Sequence, residues 1–236
     1  MAGRTARSEG AFPEGPRAPR LPAELPAPDS PSPLVLDDGA EWEGMSITAD
    51  LVGVAARRVD VSECRFSGAA LTGARVERLA AVDSVFDDCD LSGALLEEAA
   101  LTRVEFLRCR MTGVVLGGAR LEDVRFVECR LDDANLRMVR GERVAFEACR
   151  LSGADFYDAK LPSAQFPDCD LRGADFSKAD VAGTRFHGSD VTGLRGAGHL
   201  KGAHIDAAQV LPLARQVFAA MGITVDDDDD DRTLSR

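Results

Sequence analysis

Residues 146–166 read FEACRLSGADFYDAKLPSAQF, and every fifth residue of this stretch is large and apolar. Two residues before each large residue stands a small one, as Ala154 stands before Phe156. Both series extend from Ala49 to Val191, and in the large series only Gly141 is not apolar. A period of five belongs neither to a helix, which repeats every 3.6 residues, nor to a strand, which repeats every two. The pattern therefore indicates an internal repeat.

A longer period shows how the blocks of five are arranged. Phenylalanines recur every twenty residues from Phe66 to Phe186, and cysteines do so from Cys89 to Cys169. Twenty residues are four blocks, so four blocks complete one coil. Residues two apart in an extended segment point to the same side, so the small and the large residue both face inward. These periods predict an all-β solenoid of about seven coils, stacked at ~4.8 Å per coil.

Several blocks also resemble the A(D/N)LXX signature of pentapeptide-repeat proteins. They are Ala49-Asp50-Leu51, Ala134-Asn135-Leu136, Ala154-Asp155-Phe156 and Ala174-Asp175-Phe176. The resemblance covers residues 49 to about 194 and implies a right-handed quadrilateral β-helix. It says little about function, because one fold serves many functions.

Composition divides the chain into four segments. Residues 1–40 hold most of the 11 prolines and predict a disordered tail, or else a proline-motif ligand for a partner. Residues 41–196 are expected to form the β-helix. Residues 197–225 are expected to form a C-terminal helical segment, and residues 226–236 an acidic disordered tail.

The C-terminal segment carries the pattern of a short helix. Asp206 and Gln209 resemble a capping box, which predicts a helix over about 207–221, with distortion at Pro212. Its apolar residues either cap the last coil or form a homodimer contact, since some pentapeptide-repeat proteins pair through this segment. The candidate contacts are Val210, Leu213, Val217, Phe218 and Met221.

Charge and cysteine content narrow the possible partners and the compartment. The net charge of −12 is opposite to the basic footprint of a nucleic-acid-binding protein, so we expect no direct contact with nucleic acid. All six cysteines occupy inward positions, which favours reduced, buried thiols. Met1–Gly10 lacks an apolar signal-type stretch, and no run approaches the ~20 apolar residues of a membrane span. We therefore expect a cytoplasmic protein without membrane contact.

No pattern in the chain predicts catalysis, a cofactor site or a metal site. His187, His199 and His204 do not follow a zinc motif. The stacked cysteines would lie in a line, whereas a tetrahedral metal site needs ligands around one point. We therefore expect a non-enzymatic protein.

Outward positions are consequently the candidate binding surface, since solenoids bind through extended faces. Where the family places Asp or Asn before the large residue, the central coils carry Arg and the later coils return to Asp. Two apolar pairs also point outward. The candidate residues are Arg110, Arg130, Arg150, Asp155, Asp170, Asp175, Asp180, Asp190, Leu95 with Val115, and Leu107 with Val127.

Two functions remain open at this stage. The first is a rigid scaffold that binds a protein partner of unknown identity. The second follows from the family resemblance, because one branch of pentapeptide-repeat proteins mimics duplex DNA, binds DNA gyrase and protects it from fluoroquinolones. The acidic net charge favours DNA mimicry, and the arginines of the central coils oppose it.

Overall fold

The computed structural model describes residues 15–27 and 37–224. Its strands are β1 (Ala40–Glu43), β2 (Ser46–Ile47), β3 (Ala55–Ser62), β4 (Arg65–Ser67), β5 (Arg75–Asp87), β6 (Ala100–Leu107), β7 (Arg120–Val127) and β8 (Arg140–Glu147). A 3₁₀ turn at Ala197–His199 and another at Ala207–Gln209 lead into one helix, α1 (Val210–Ala220). No helix among the described residues is long and apolar enough to cross a membrane.

The strands stack in parallel with the twenty-residue register that the sequence predicts. Phe106 pairs with Phe126, and Phe126 pairs with Phe146. The order β1-β3-β5-β6-β7-β8 makes five successive parallel pairings, and isolated bridges continue the stack as far as Arg185 and His204. The predicted β-solenoid is confirmed. Its paired strands make about five turns rather than seven, because single bridges alone join the later coils.

Stacked phenylalanines fill the core of the solenoid. From Phe66 to Phe186 the neighbouring rings of one column stack with centroids 4.4–5.2 Å apart. Phe156 and Phe176 form a second stack that meets the first edge-on. Trp42 lies 5.9 Å from the Phe66 ring and covers the first coil. Burial of each ring stabilises the fold by about 1.5–3 kcal/mol.

The cysteine column is a hydrogen-bond ladder as well as a packing element. All six cysteines are buried and unpaired. The thiol of Cys129 donates to the Phe106 carbonyl at 3.3 Å, and Ser189 donates in the same way to Phe166 at 2.6 Å. Gln209 occupies the next position of this column, and its amide donates to the Phe186 and Ser189 carbonyls. The column therefore satisfies buried carbonyl groups that a run of alanines would leave without these donors.

As the one missing side chain of the large series, Gly141 predicts a local void or bulge, but the structure leaves no empty space in the core there. A Cβ atom at this position would lie 2.5 Å from Leu161 Cδ2 and 2.7 Å from Val144 Cγ2. The expectation of a void was wrong, because these two neighbouring side chains occupy the space.

Part of the proline-rich tail differs from the disorder expected for residues 1–40. Residues 15–27 contain no helix or strand, and their backbone bonds to the solenoid. The backbone N–H of Arg17 donates to Asp123 Oδ1, and that of Arg20 donates to Asp83 Oδ1, both at 3.0 Å. These buried carboxylates supply acceptors that composition alone does not reveal. Residues 1–14 and 28–36, and the expected acidic tail 226–236, lie outside the described residues.

The C-terminal helix matches its prediction closely. The capping box between Asp206 and Gln209 is present, and α1 follows it directly. The distortion expected at Pro212 does not interrupt α1. Pro212 lies in the first turn, where a backbone N–H would have no helical partner in any case.

Candidate binding surfaces

Three exposed arginines form a line along one face of the solenoid. Parallel bridges connect Arg110 to Arg130 and Arg130 to Arg150, and we call these three residues the arginine column. Arg150 lies 3.4 Å from Asp132. For Arg110 and Arg130, no ion pair within 4.0 Å occurs among the described residues. Like charges stacked on adjacent strands repel each other, so packing within this chain does not explain the column.

A second basic stack occupies another face. Arg120 pairs with Arg140 across β7 and β8, and a bridge links Arg140 to Lys160. All three side chains belong to exposed residues. The middle of the solenoid therefore presents cations on two faces, although the whole chain is acidic.

The aspartates of the candidate surface serve the turns of the solenoid. Each accepts the backbone N–H two residues later, as Asp155 does from Tyr157 at 2.9 Å and Asp175 does from Ser177 at 2.8 Å. The same bond is made by Asp170, Asp180 and Asp190. An Asp or Asn in this position fixes the turn, which gives the signature residue a structural role.

Arginines of this chain also neutralise most of these carboxylates. The Arg172 guanidinium binds Asp170 with two hydrogen bonds and lowers the pKa of that carboxyl to about 2. Arg137 pairs with Asp155 at 2.9 Å, and Arg195 lies 3.6 Å from Asp175. The acidic coils consequently present less free negative charge than their sequence suggests.

The structure does not bring the five aspartates together on one strip. Asp155 and Asp175 share a column, whereas Asp170 and Asp190 continue the line of the arginine column. Asp180 follows Lys160 in a third column. Because neighbouring blocks of five lie on different faces, residues five apart do not share a surface.

The apolar pairs adjoin as expected but present little surface. A bridge links Leu95 to Val115, and Leu107 pairs with Val127 across β6 and β7. Leu95 is exposed and the other three are half-buried. These pairs are smaller than the contiguous apolar patches that mark protein interfaces.

The candidate contacts of α1 divide into two groups. Leu213 is buried and Val217 packs against the core, so this side of the helix covers the last coil. Val210, Phe218 and Met221 are exposed, the last two by 41% and 67%. The capping contact is therefore present, while the outer side of α1 has an apolar surface.

Sequence reasoning missed a pair of buried carboxylates at one corner of the solenoid. Asp83 and Asp123 are only 7% and 2% exposed, and they alternate with Arg103 and Arg143 at twenty-residue intervals. This alternation was a usable signal, since the coil period places the four residues in one column. These carboxylates are the ones that bind the N-terminal segment.

None of the described residues forms a candidate metal site, because no group of three or more His, Cys, Asp or Glu side chains converges. His187 instead contacts Asp206 at 2.6 Å.

Comparison with known proteins identifies the family of the chain. A search of curated proteins found no match. Trypsin-treated QnrB1, a plasmid-mediated fluoroquinolone resistance protein, is 21% identical over 86% of this chain and 100% of its own, with a TM-score of 0.39. HetL of the cyanobacterium Nostoc sp. strain PCC 7120, involved in heterocyst differentiation regulation, is 19% identical over 67% of this chain and 90% of its own, with a TM-score of 0.23. A family model for the pentapeptide repeat region matches residues 59–136 and 119–195, more than half of the chain, and the chain therefore belongs to the pentapeptide-repeat family.

Proposed function

We propose that this protein is a rigid, non-enzymatic scaffold that binds an acidic protein surface through its arginine column. The observation that carries the proposal is the stacking of Arg110, Arg130 and Arg150 on successive coils, all three exposed. Asp90 and Asp170 flank the column, and among the described residues only Arg150 of the three lies within 4.0 Å of a carboxylate. A partner carboxylate would replace repulsion between guanidinium groups with paired hydrogen bonds.

The magnitudes favour this reading. Two unit charges about 5 Å apart repel by roughly 1 kcal/mol in water, and salt reduces this further. The chain tolerates that cost, whereas a bidentate bond between arginine and carboxylate is among the stronger polar contacts. The electrostatic energy of the arginine column is thus weakly unfavourable in the free protein and becomes favourable when carboxylates of a partner bind to it.

Rigidity of the solenoid adds to the expected affinity. The phenylalanine stack holds successive coils at a fixed spacing, so the backbone under the arginine column is already ordered before binding. A preordered surface loses less conformational entropy when it binds.

Site-specific photocrosslinking tests the proposal in the native cell. In one variant a photoreactive residue replaces Thr112, which is exposed and lies two residues after Arg110 of the arginine column. In the matched control variant it replaces Glu97, which is exposed on a different face of the solenoid. We expect the Thr112 position to capture a defined protein and the Glu97 position not to capture it. Equal capture at both positions would remove the support for this face.

DNA mimicry directed at DNA gyrase is the second candidate, favoured by the net charge of −12. The pairing of Asp170 with Arg172 and the arginine column weigh against it. A supercoiling assay with gyrase, with and without a fluoroquinolone, tests this candidate. If the protein is a DNA mimic, it should inhibit gyrase or protect it from the fluoroquinolone, and a variant with Asn in place of Asp155, Asp170, Asp175 and Asp190 should lose this effect. Asn keeps the side-chain oxygen that accepts the turn N–H and removes the charge. No effect of the wild-type protein at micromolar concentration would eliminate DNA mimicry.

A further inference from the structure

The N-terminal segment has a three-residue period. Pro13, Pro16, Pro19 and Pro22 recur every third residue, and arginine follows two of them in the run Pro16-Arg17-Ala18-Pro19-Arg20. A polyproline II helix has three residues per turn, so these prolines share one side. Pro16 and Pro19 are half-buried, whereas Arg17 and Arg20 are exposed residues. Pro16 and Pro19 therefore face the solenoid, whereas Pro22 is exposed.

The receptor of this segment consists of two carboxylates that are already held in place. Arg103 binds Asp83 with two hydrogen bonds of 2.6 Å. Arg143 binds Asp123 in the same way, at 2.6 and 3.0 Å. Carboxylate oxygens accept more than one hydrogen bond, so each Asp keeps capacity for a further donor.

The backbone of the segment supplies those donors. The N–H of Arg20 donates to Asp83 and that of Arg17 donates to Asp123, each at 3.0 Å. A hydrogen bond to an ionised acceptor is roughly twice as strong as one between neutral groups. Both hydrogen bonds come from the backbone of the arginines, and the positive charges of the Arg17 and Arg20 side chains favour the ionised carboxylates as well.

The two periods match in length. Three residues of polyproline II span about 9.3 Å, and two coils of the solenoid span roughly 9.5 Å. Asp83 and Asp123 are two coils apart, and Arg17 and Arg20 are three residues apart. Two N–H groups three residues apart therefore meet two carboxylates that lie two coils apart.

Nearby outward-facing residues are also withdrawn from solvent. Val85 and Ala145 occupy outward positions of the repeat, yet both are buried. Further along the segment, the Pro26 carbonyl accepts the Ser46 N–H at 2.9 Å, so the contact continues to the first coil.

We propose that the corner carrying Asp83 and Asp123 is a binding site for a proline-rich peptide in the polyproline II conformation. Residues 15–27 are its built-in occupant, and the site takes a partner's proline-rich segment of the same spacing when this tail leaves. The partner segment needs proline at every third residue and a non-proline residue directly after each of them, because proline itself has no N–H to donate. This site lies on a different column from the arginine column, so either proposal can fail without the other.

The full-length chain allows a matched pair of variants. Arg17→Pro with Arg20→Pro removes both N–H donors and keeps the extended backbone. Arg17→Ala with Arg20→Ala removes the side-chain charges and keeps both donors. The probe is a fluorescent synthetic peptide with the sequence of residues 15–27, and fluorescence anisotropy measures its binding to each protein. A second peptide carries N-methyl groups on the Arg17 and Arg20 amides.

We expect the proline variant to bind the peptide at least about tenfold more tightly than the wild-type or alanine protein. In the latter two, the tethered tail occupies the site at an effective concentration in the millimolar range. The N-methylated peptide should not bind. No saturable binding to the proline variant up to about 1 mM, or equal binding of the N-methylated peptide, would overturn the proposal.

Hydrogen exchange provides a measurement that does not depend on the variants. In the wild-type protein, the Arg17 and Arg20 amides should exchange at least about tenfold more slowly than in the free peptide. Exchange at the rate of the free peptide would overturn the proposal even if the proline variant failed to fold.

Discussion

The aspartates and arginines of the repeat differ in what they do within the chain. Asp155 accepts the Tyr157 N–H and so stabilises its own turn, whereas Arg130 in the equivalent position of another block makes no such bond. The period of five alone predicted which residues face inward, because that depends on alternation along the backbone. The bond between the Cys129 thiol and the Phe106 carbonyl could not be predicted in this way, because it depends on the distance between coils.

Truncation of one side chain in the phenylalanine stack should destabilise the whole solenoid. The Phe126 ring lies 4.9 Å from Phe106 and 4.7 Å from Phe146. Phe126→Ala should lower the free energy of unfolding by about 3–5 kcal/mol, measured by denaturant titration. Val127→Ala, at a half-buried outward position, is the control and should cost clearly less. A cost below about 1 kcal/mol for Phe126→Ala would contradict the inward register.

Gly141 offers a test of how closely the core is packed. Because Leu161 and Val144 fill the space beside it, Gly141→Ala should destabilise the protein by about 1–3 kcal/mol. Gly117→Ala is the matched control, since the nearest atoms to a Cβ atom there are 3.6 and 3.8 Å away. Thermal unfolding of the two variants checks this prediction. A gain in stability for Gly141→Ala would point to a void after all.

Among the elements, the N-terminal segment departs furthest from expectation. Its composition predicted disorder, since it lacks the apolar content needed to offset the entropy of ordering. Docking depends instead on two periods that agree, three residues in the segment and twenty in the solenoid. Neither period alone predicts that the segment docks. Its contact with the solenoid becomes predictable only once Asp83 and Asp123 are known to lie two coils apart.

Acid should release this segment only at low pH. The Arg103 guanidinium lowers the pKa of Asp83 below its ordinary 3.8, and the N–H of Arg20 lowers it further. Arg143 and the N–H of Arg17 act likewise on Asp123, while Arg143 also contacts Glu122 and Glu142. A depressed carboxyl pKa stabilises the docked state at higher pH, and that stabilisation is lost as the pH falls through the depressed value.

Nuclear magnetic resonance of the Arg17 and Arg20 amides measures this release directly. Both signals should keep their docked positions down to pH 3.8 and move to free-peptide positions below it. Release well above pH 3.8, where both carboxylates are ionised, would contradict the assignment of these bonds.

The helix α1 caps the solenoid, and we propose that its outer side forms a homodimer contact. The full-length protein should then run as a dimer in light scattering. Phe218→Glu with Met221→Glu should give a folded monomer that loses only the stability contributed by the dimer contact, because both side chains are exposed in the single chain. Leu213→Glu should instead lower the melting temperature, because that residue is buried against the last coil. A monomeric wild-type protein would eliminate the dimer.

At the scale of the whole molecule, the β-solenoid could be predicted from the sequence. Which outward charges are neutralised within the chain, and which stay free to bind a partner, could not be predicted. Inward positions obey one packing rule, so a repeat visible in the sequence predicts the solenoid. Outward positions are not constrained by this packing rule. Whether an outward charge is free or neutralised depends on which side chains the fold places beside it. Asp170 appears as part of an acidic strip in the sequence, but in the structure Arg172 neutralises it. The arginine column, by contrast, keeps its charge exposed.

The proposal that the arginine column binds an acidic partner is tested most directly by measuring the affinity of the crosslinked partner for a charge-reversed protein. Arg110→Glu, Arg130→Glu and Arg150→Glu, combined in one variant, replace the arginine column with carboxylates on the same exposed positions. We expect this variant to bind the purified partner at least about 100-fold more weakly than the wild-type protein, because each lost charge pair contributes about 1 kcal/mol or more. The variant should stay folded with a modestly lower melting temperature, because it loses the Arg150–Asp132 pair and places like charges beside Asp90 and Asp170. A dissociation constant within about threefold of the wild-type value, with the fold intact, would contradict the claim that this column binds the partner.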